Sequence, residues 1–323
     1  NYDQTTFGYD VMKRRNRTMS PGGTISFQVF DVRANPITVY VGTNDAGATE
    51  SDPTGGGTAG NDMVLVNEYQ YDDGQAGGDN NMTRESRHVD AVATRVTTYI
   101  HDWRGRRVVT DGEVDFYEQV AHDNLGRVVR TDRRNTTSGG NLVSRNETYY
   151  DDRSRIYQRL RYAVDPSTGT VGNDLVDAFW YDASGNLIKQ QDAGSQLCIK
   201  VAFDGIGRPT VKYIGFGDDA SYADVQSIDD DTVLEQFENA YDAVGNIVQT
   251  NTRKRYHNAI ASQMGPLGDP DTVPRARVTY KAWWPDALGR TTGTADFGTN
   301  GGSLLVRPET LPARTDVVLV ELS

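Results

Sequence analysis

Forty-five acidic residues, four histidines and one cysteine are the groups from which this 323-residue chain could build a reactive centre. Paired carboxylates hydrolyse glycosidic bonds, and so many acidic residues leave room for such a pair. Nine of the aspartates, however, recur in one phrase: an aromatic or His residue, Asp, two variable residues, Gly, then Arg or Asn. Clean copies are Tyr181-Asp182-Ala183-Ser184-Gly185-Asn186, Phe203-Asp204-Gly205-Ile206-Gly207-Arg208 and Tyr241-Asp242-Ala243-Val244-Gly245-Asn246. His122-Asp123 with Gly126-Arg127 and Pro285-Asp286 with Gly289-Arg290 are two more. Degenerate copies stand at Asp31, Asp72, Asp102 and Asp151. A catalytic group is needed once, so repetition assigns these aspartates to construction.

Other constellations are weaker. Gly55, Gly57 and Gly60 match the dinucleotide fingerprint G-x-G-x-x-G, which works only between a strand and a helix N-terminus. Here they sit in a polar loop leading into the strand-like Asn61-Asp62-Met63-Val64. The same loop resembles one turn of a calcium β-roll, but such sites need consecutive copies. Acidic clusters at Asp72-Asp73, Asp218-Asp219 and Asp229-Asp230-Asp231 could attract Ca²⁺ through oxygen ligands, although solvated loops are the favoured reading. No cofactor is expected. Among His88, His101, His122 and His257 no two are four apart, as a helical zinc site would require. His101 and His122 fill the aromatic slot of the phrase, where packing is expected. No G-x-S-x-G elbow is present. Trp283-Trp284 could stack on glycans; adjacent strand residues face opposite sides, so one ring should point away from the core.

The repeated phrase states what positions these groups. Asp favours the first position of a type I turn, where its side chain accepts a backbone N–H two residues on. Gly at the fourth position supplies the left-handed backbone that rejoins the outgoing strand. Asp123, Gly126, Asp182, Gly185, Asp204, Gly207, Asp242, Gly245, Asp286 and Gly289 are therefore read as turn residues. The runs that follow, such as Leu187-Ile188-Lys189-Gln190 and Ile247-Val248-Gln249-Thr250, read as strands. Each copy specifies one hairpin, and because a lone hairpin is marginal, successive hairpins must pair. The aspartates are spaced 21 to 44 residues apart, so some units must carry inserted loops.

Composition agrees. Only 37% of residues are hydrophobic, as in strands with one wet face, and a net charge of −12 argues against nucleic acid as a partner. The basic run Lys13 to Arg17 reads as a solvated strand or turn, and Cys198 as a small buried hydrophobe. No apolar run is long enough for a membrane helix. Strands are expected at 24–30, 37–41 and 319–323, and at 232–240 in preference to a short helix. Polar or acidic irregular segments are expected at 42–62, 72–83, 215–232 and 257–275. The chain opens with Asn and its final segment reads as an unfinished strand, which suggests a segment of a longer polypeptide.

From about Tyr9 to Gly293 the chain resembles YD-repeat, or Rhs, proteins, whose repeats build a long β-sheet spiralling into a hollow shell. In bacterial toxins that shell encloses a C-terminal toxin, and related repeats occur in wall-associated and teneurin-like proteins. The resemblance implies an all-β protein, 1–323 being one continuous array of antiparallel hairpins in a curved or spiralling sheet. It also implies a secreted or cell-surface setting and a scaffold without enzymatic activity that encloses or presents another domain. Expected partners are neighbouring repeats, further segments of the same polypeptide and an enclosed C-terminal domain. An extracellular fibre or adhesin that self-associates or binds glycans, with Tyr2 and 317–322 as free strand edges, is the alternative. Rhs toxin cores carry Asp-Pro-X-Gly-Leu near their self-cleavage point; Asp165-Pro166-Ser167-Thr168-Gly169 has an extra residue, lacks the Leu and reads as a plain turn.

Overall fold

A computed structural model describes residues 3–75, 77–90, 92–217, 219, 221–260 and 262–322. Tyr2 and Asp218, both named above, lie outside the described residues. The fold is all-β and antiparallel: 21 strands and one short α-helix among the described residues. Two units of the chain are compact, one formed by 1–147 with 161–173, the other by 148–160 with 174–323.

The first unit contains β1 (Thr6–Tyr9), β2 (Arg15–Met19), β3 (Ile25–Phe30), β4 (Pro36–Gly42), β5 (Val64–Tyr71) and β6 (Met82–His88). It continues with β7 (Thr94–His101), β8 (Arg107–Gly112), β9 (Phe116–His122), β10 (Val128–Arg134) and β11 (Leu142–Tyr150), whose last residues enter the second unit. Each of these strands pairs antiparallel with the next. In such a meander the connections alternate between two edges. All turns that begin at Asp10, Asp31, Asp72, Asp102 and Asp123 therefore fall on one edge, and segment 43–63 falls on the other. That insertion folds back so that Met63 joins buried Ile25 and Phe27 of β3.

β12 (Ile156–Asp165) and β13 (Thr170–Tyr181) contribute residues to both units, joined by the turn at Asp165 to Gly169. The second unit then runs through β14 (Leu187–Gln191), β15 (Leu197–Phe203), β16 (Pro209–Phe216), α1 (Tyr222–Gln226), β17 (Thr232–Tyr241), β18 (Ile247–Arg255), β19 (Ala276–Pro285), β20 (Thr291–Gly298) and β21 (Leu319–Leu322). From β13 onward each strand again pairs antiparallel with the next strand. The turns starting at Asp182, Asp204, Asp242 and Asp286 share one edge, and the insertions 217–231, 256–275 and 299–318 share the other.

Register explains where the core of this unit forms. β19 alternates strictly, with Ala276, Val278, Tyr280, Ala282 and Trp284 buried on one face. Leu305 and Leu311 of insertion 299–318 cover that face together with Ala295 and Phe297. Leu267 and Ile228, from the two other insertions, cover Val233 and Ala276. The insertions thus supply the second layer that a single sheet lacks.

The expected strands at 24–30, 37–41, 232–240 and 319–323 are present as β3, β4, β17 and β21 over their described residues. One element departs from expectation. The acidic stretch 215–232 holds α1, nucleated by a capping box in which the Ser221 hydroxyl accepts from Asp224 N–H and the Asp224 carboxylate accepts from Ser221 N–H.

Candidate functional site

The Asp turns form one repeated device. At Asp242 the backbone N–H donates to Asn246 C=O (2.9 Å), and Gly245 N–H donates back to Asp242 C=O (3.2 Å). Oδ1 accepts the N–H groups of Val244 (3.0 Å) and Asn246 (2.8 Å), while Oδ2 accepts the Asn246 side-chain amide (2.8 Å). Where the fifth residue is Arg, its guanidinium takes the same place, as with Arg208 Nε on Asp204 (2.7 Å). The strand register shifts by one residue at Tyr241, the bulge that such a turn requires. Against the opposing effect of burial, these bonds hold the carboxyls of Asp10, Asp31, Asp123, Asp151, Asp182, Asp204, Asp242 and Asp286 below the usual range. Asp102, bonded chiefly to the Arg106 side chain, falls to about 2.

Two variants widen the phrase. Tyr9-Asp10 closes a full copy with Arg14, although Lys13 stands in the glycine position at φ 65°. Asp72 closes on Asn81 instead of the fifth residue, with Asn80 left-handed at φ 68° and the Asp72 carboxylate accepting the Asn80 and Asn81 N–H groups, so a loop is inserted into the closure. Where the third residue is Leu125, Ile206, Val244 or Leu288, only its backbone takes part and its side chain stands exposed. Where it is Arg33, Arg104 or Arg153, its guanidinium donates to a carbonyl of the next turn, that of Gly78, Asn124 or Ala183.

The fifth residue also links successive turns. Arg14 Nη1 donates to Asp31 C=O (2.6 Å), and its guanidinium lies over the Phe30 ring (4.9 Å). Arg155 reaches Asp182 C=O and stacks on Tyr181 at 4.4 Å; Arg208 stacks on Tyr241 at 4.5 Å. Phe30, Tyr181 and Tyr241 are thus platforms for the arginine of the preceding turn. Where Asn replaces Arg, its side chain packs against the next glycine: Asn186 against Gly207, Asn246 against Gly289. His101 and His122 hold the aromatic slot with Nδ1 buried and without a hydrogen-bond partner, an environment for packing.

The Trp pair divides as the alternation requires. Trp284 is buried among Tyr280, Phe297 and Leu305, with its Nε1 donating to Pro308 C=O (3.3 Å). Trp283 is half-buried on the opposite face, near Lys281 at 5.8 Å, so of the two only Trp283 offers a ring face to a ligand.

A buried polar row crosses the covered face of the second unit. Register aligns Trp180, Lys189, Lys200, Tyr213, Gln236, Arg253 and Val278 side by side. The insertions and β17 satisfy it: Gln236 Oε1 accepts Leu267 N–H (2.7 Å), and Arg253 bonds Glu238 of β17 and Asp269, each at 2.7 Å. Lys189 is only 2% exposed and pairs with Asp219. Lys200 Nζ donates to Asp219 Oδ1 (2.7 Å), Ser227 C=O (2.8 Å) and Asp224 C=O (3.2 Å). Asp231 Oδ2 lies 2.6 Å from the same ammonium. Burial, together with the carboxylates of Asp219 and Asp230, pushes the Asp231 carboxyl up. Burial opposes ionisation of Asp219 as well, but the bonds from Lys189 and Lys200 outweigh it and hold that carboxyl low. Cys198, buried beside them, has its thiol pushed up by burial.

Of the acidic groups weighed for Ca²⁺, Asp72 holds backbone amides, and Asp219 and Asp231 hold lysines. Among the described residues no three His, Cys, Asp or Glu gather closely enough to hold a metal ion. A cleft of ≈620 Å³ opens under α1, lined in part by Ile188, Lys200, Phe203 and Val225. Its one lysine already has its ammonium surrounded by four oxygens. Among the described residues no helix is long and apolar enough to cross a membrane.

Fold and turn chemistry together define an all-β array of consecutive antiparallel hairpins. No family model matches the chain, and no curated protein matches it. Among solved structures it is similar to TcdB2-TccC3-TEV over 91% of its length at 12% identity and a TM-score of 0.36. TcdB2-TccC3 is similar over 98% at 10% identity and a TM-score of 0.35. The Photorhabdus luminescens Tc holotoxin pore is similar over 91% at 13% identity and a TM-score of 0.31. The chain spans 15–17% of the length of those chains.

Proposed function

We propose that this chain is a non-catalytic scaffold, one continuous YD-repeat array belonging to the β-shell of a large secreted or cell-surface protein that encloses or presents another domain. One observation carries the reading: within each unit the closed Asp turns line one edge while all but one of the long insertions fall on the other. A wall needs that uniformity, because each turn clips the next through Arg or Asn and the sheet can be extended by repetition. The recurring aspartates are bound to backbone amides and to their own Arg or Asn, which suits a structural role better than a chemical one. Its partners are then neighbouring repeats and further segments of the same polypeptide. The reading is tested by cryo-electron microscopy of the protein isolated from its source. Hollow particles with internal density are expected; long filaments with a regular axial repeat would replace the shell by a fibre.

A further inference from the structure

The cluster of Lys189, Lys200, Asp219 and Asp231 has more than an ion pair requires. An amine and a carboxyl held together and shielded from water can condense, provided that protons are moved and the oxyanion of the tetrahedral intermediate is stabilised. Lys189 and Asp219 are paired, with side chains 2% and 1% exposed. The Lys200 ammonium stands on the second oxygen of Asp219 at 2.7 Å, where the oxyanion would develop. Asp231, a second buried carboxyl, lies against the same ammonium at 2.6 Å.

We propose that Lys189 and Asp219 form an intramolecular isopeptide bond that staples β14 to insertion 217–231. Lys189 Nζ first gives a proton to Oδ2 of Asp219, leaving a neutral amine beside a neutral carboxyl. The amine attacks Cγ, and Lys200 holds the oxyanion on Oδ1. Asp231 delivers a proton to the departing Oδ2 and receives one from Nζ. The Nζ–Cγ bond forms, the Cγ–Oδ2 bond breaks, and one water leaves; no oxidant or other reactant enters. Burial moves the Asp231 carboxyl in the direction this role requires, against the opposing pull of the Lys200 ammonium. The bond joins positions 30 residues apart and fastens the insertion that carries α1 over the sheet.

The test is the intact mass of the purified, denatured protein, followed by peptide mapping. The expected mass is one water below that of the sequence, with a branched peptide joining Lys189 to Asp219. Asp219→Ala is expected at full mass, and Asp231→Asn at full or nearly full mass. A wild-type protein at full mass overturns the proposal without reference to any variant. A branch at Lys200 overturns the assignment of the nucleophile, and full cross-linking in Asp231→Asn overturns the proton relay.

Discussion

Replacing Gly245 by Val tests the turn device at its most demanding position. Gly245 sits at φ +99° and Gly185 at +100°, whereas the three non-glycine residues in the equivalent place, Lys13, Ala34 and Ser154, lie between 65° and 70°. A side chain at Gly245 must therefore pull the backbone back by about 30° into the left-handed well. Occupying that well costs an L-residue about 1–2 kcal/mol, and a β-branched residue falls at the upper end. Sterics add nothing, because a Cβ at Gly245 would meet Arg208 Nη1 at 3.8 Å, an ordinary contact. For a domain of about 150–250 residues each kcal/mol shifts Tm by about 2–4 °C, so a fall of about 2–8 °C is expected. Gly245→Asn should lose less, since Asn tolerates the left-handed well. Thermal denaturation followed by circular dichroism compares these variants, and Gly185→Val, with the wild type. An unchanged Tm in both Gly185→Val and Gly245→Val would refute the argument that these glycines are required by conformation.

Other expectations follow from the same geometry. Trp284→Ala opens the core around Tyr280 and Phe297 and should cost about 3–5 kcal/mol in urea denaturation, whereas Trp283→Ala should cost much less. Equal losses would contradict the assignment of the two faces. Asp102 titrates at about 2 when folded against 3.8 for the free side chain, chiefly through Arg106. A depressed carboxyl stabilises the fold above its unfolded pKa, and that contribution disappears as pH falls from about 4 through about 2. An NMR titration of Asp102 with an ordinary midpoint would remove this contribution. Arg208→Ala removes both the clip to Asp204 and the stack on Tyr241, so it should lower Tm more than Arg208→Asn, which can replace the amide bond seen at Asn246. Equal values would show that the fifth residue of the turn is interchangeable.

The sequence by itself determined the all-β class, the hairpin unit and the turn geometry at the repeated Asp and Gly residues. Those properties are local: the Asp carboxylate reaches amides two and four residues on, and a glycine's backbone freedom needs no distant partner. The copy at Asp10 was less legible because Lys13 replaces the glycine, and the one at Asp72 because its closure is nine residues long instead of four. The Ser221-Tyr222-Ala223-Asp224 box was a readable signal for α1, hidden by its acidic surroundings. Only the tertiary structure decided which face the insertions cover, and with it the burial of Lys189, Lys200 and Arg253. Each of these cations is a residue type that by itself reads as solvated. Its burial depends on cross-strand register and on carboxylates delivered from 16 to 30 residues away, and a period-two pattern cannot specify which loop will reach it.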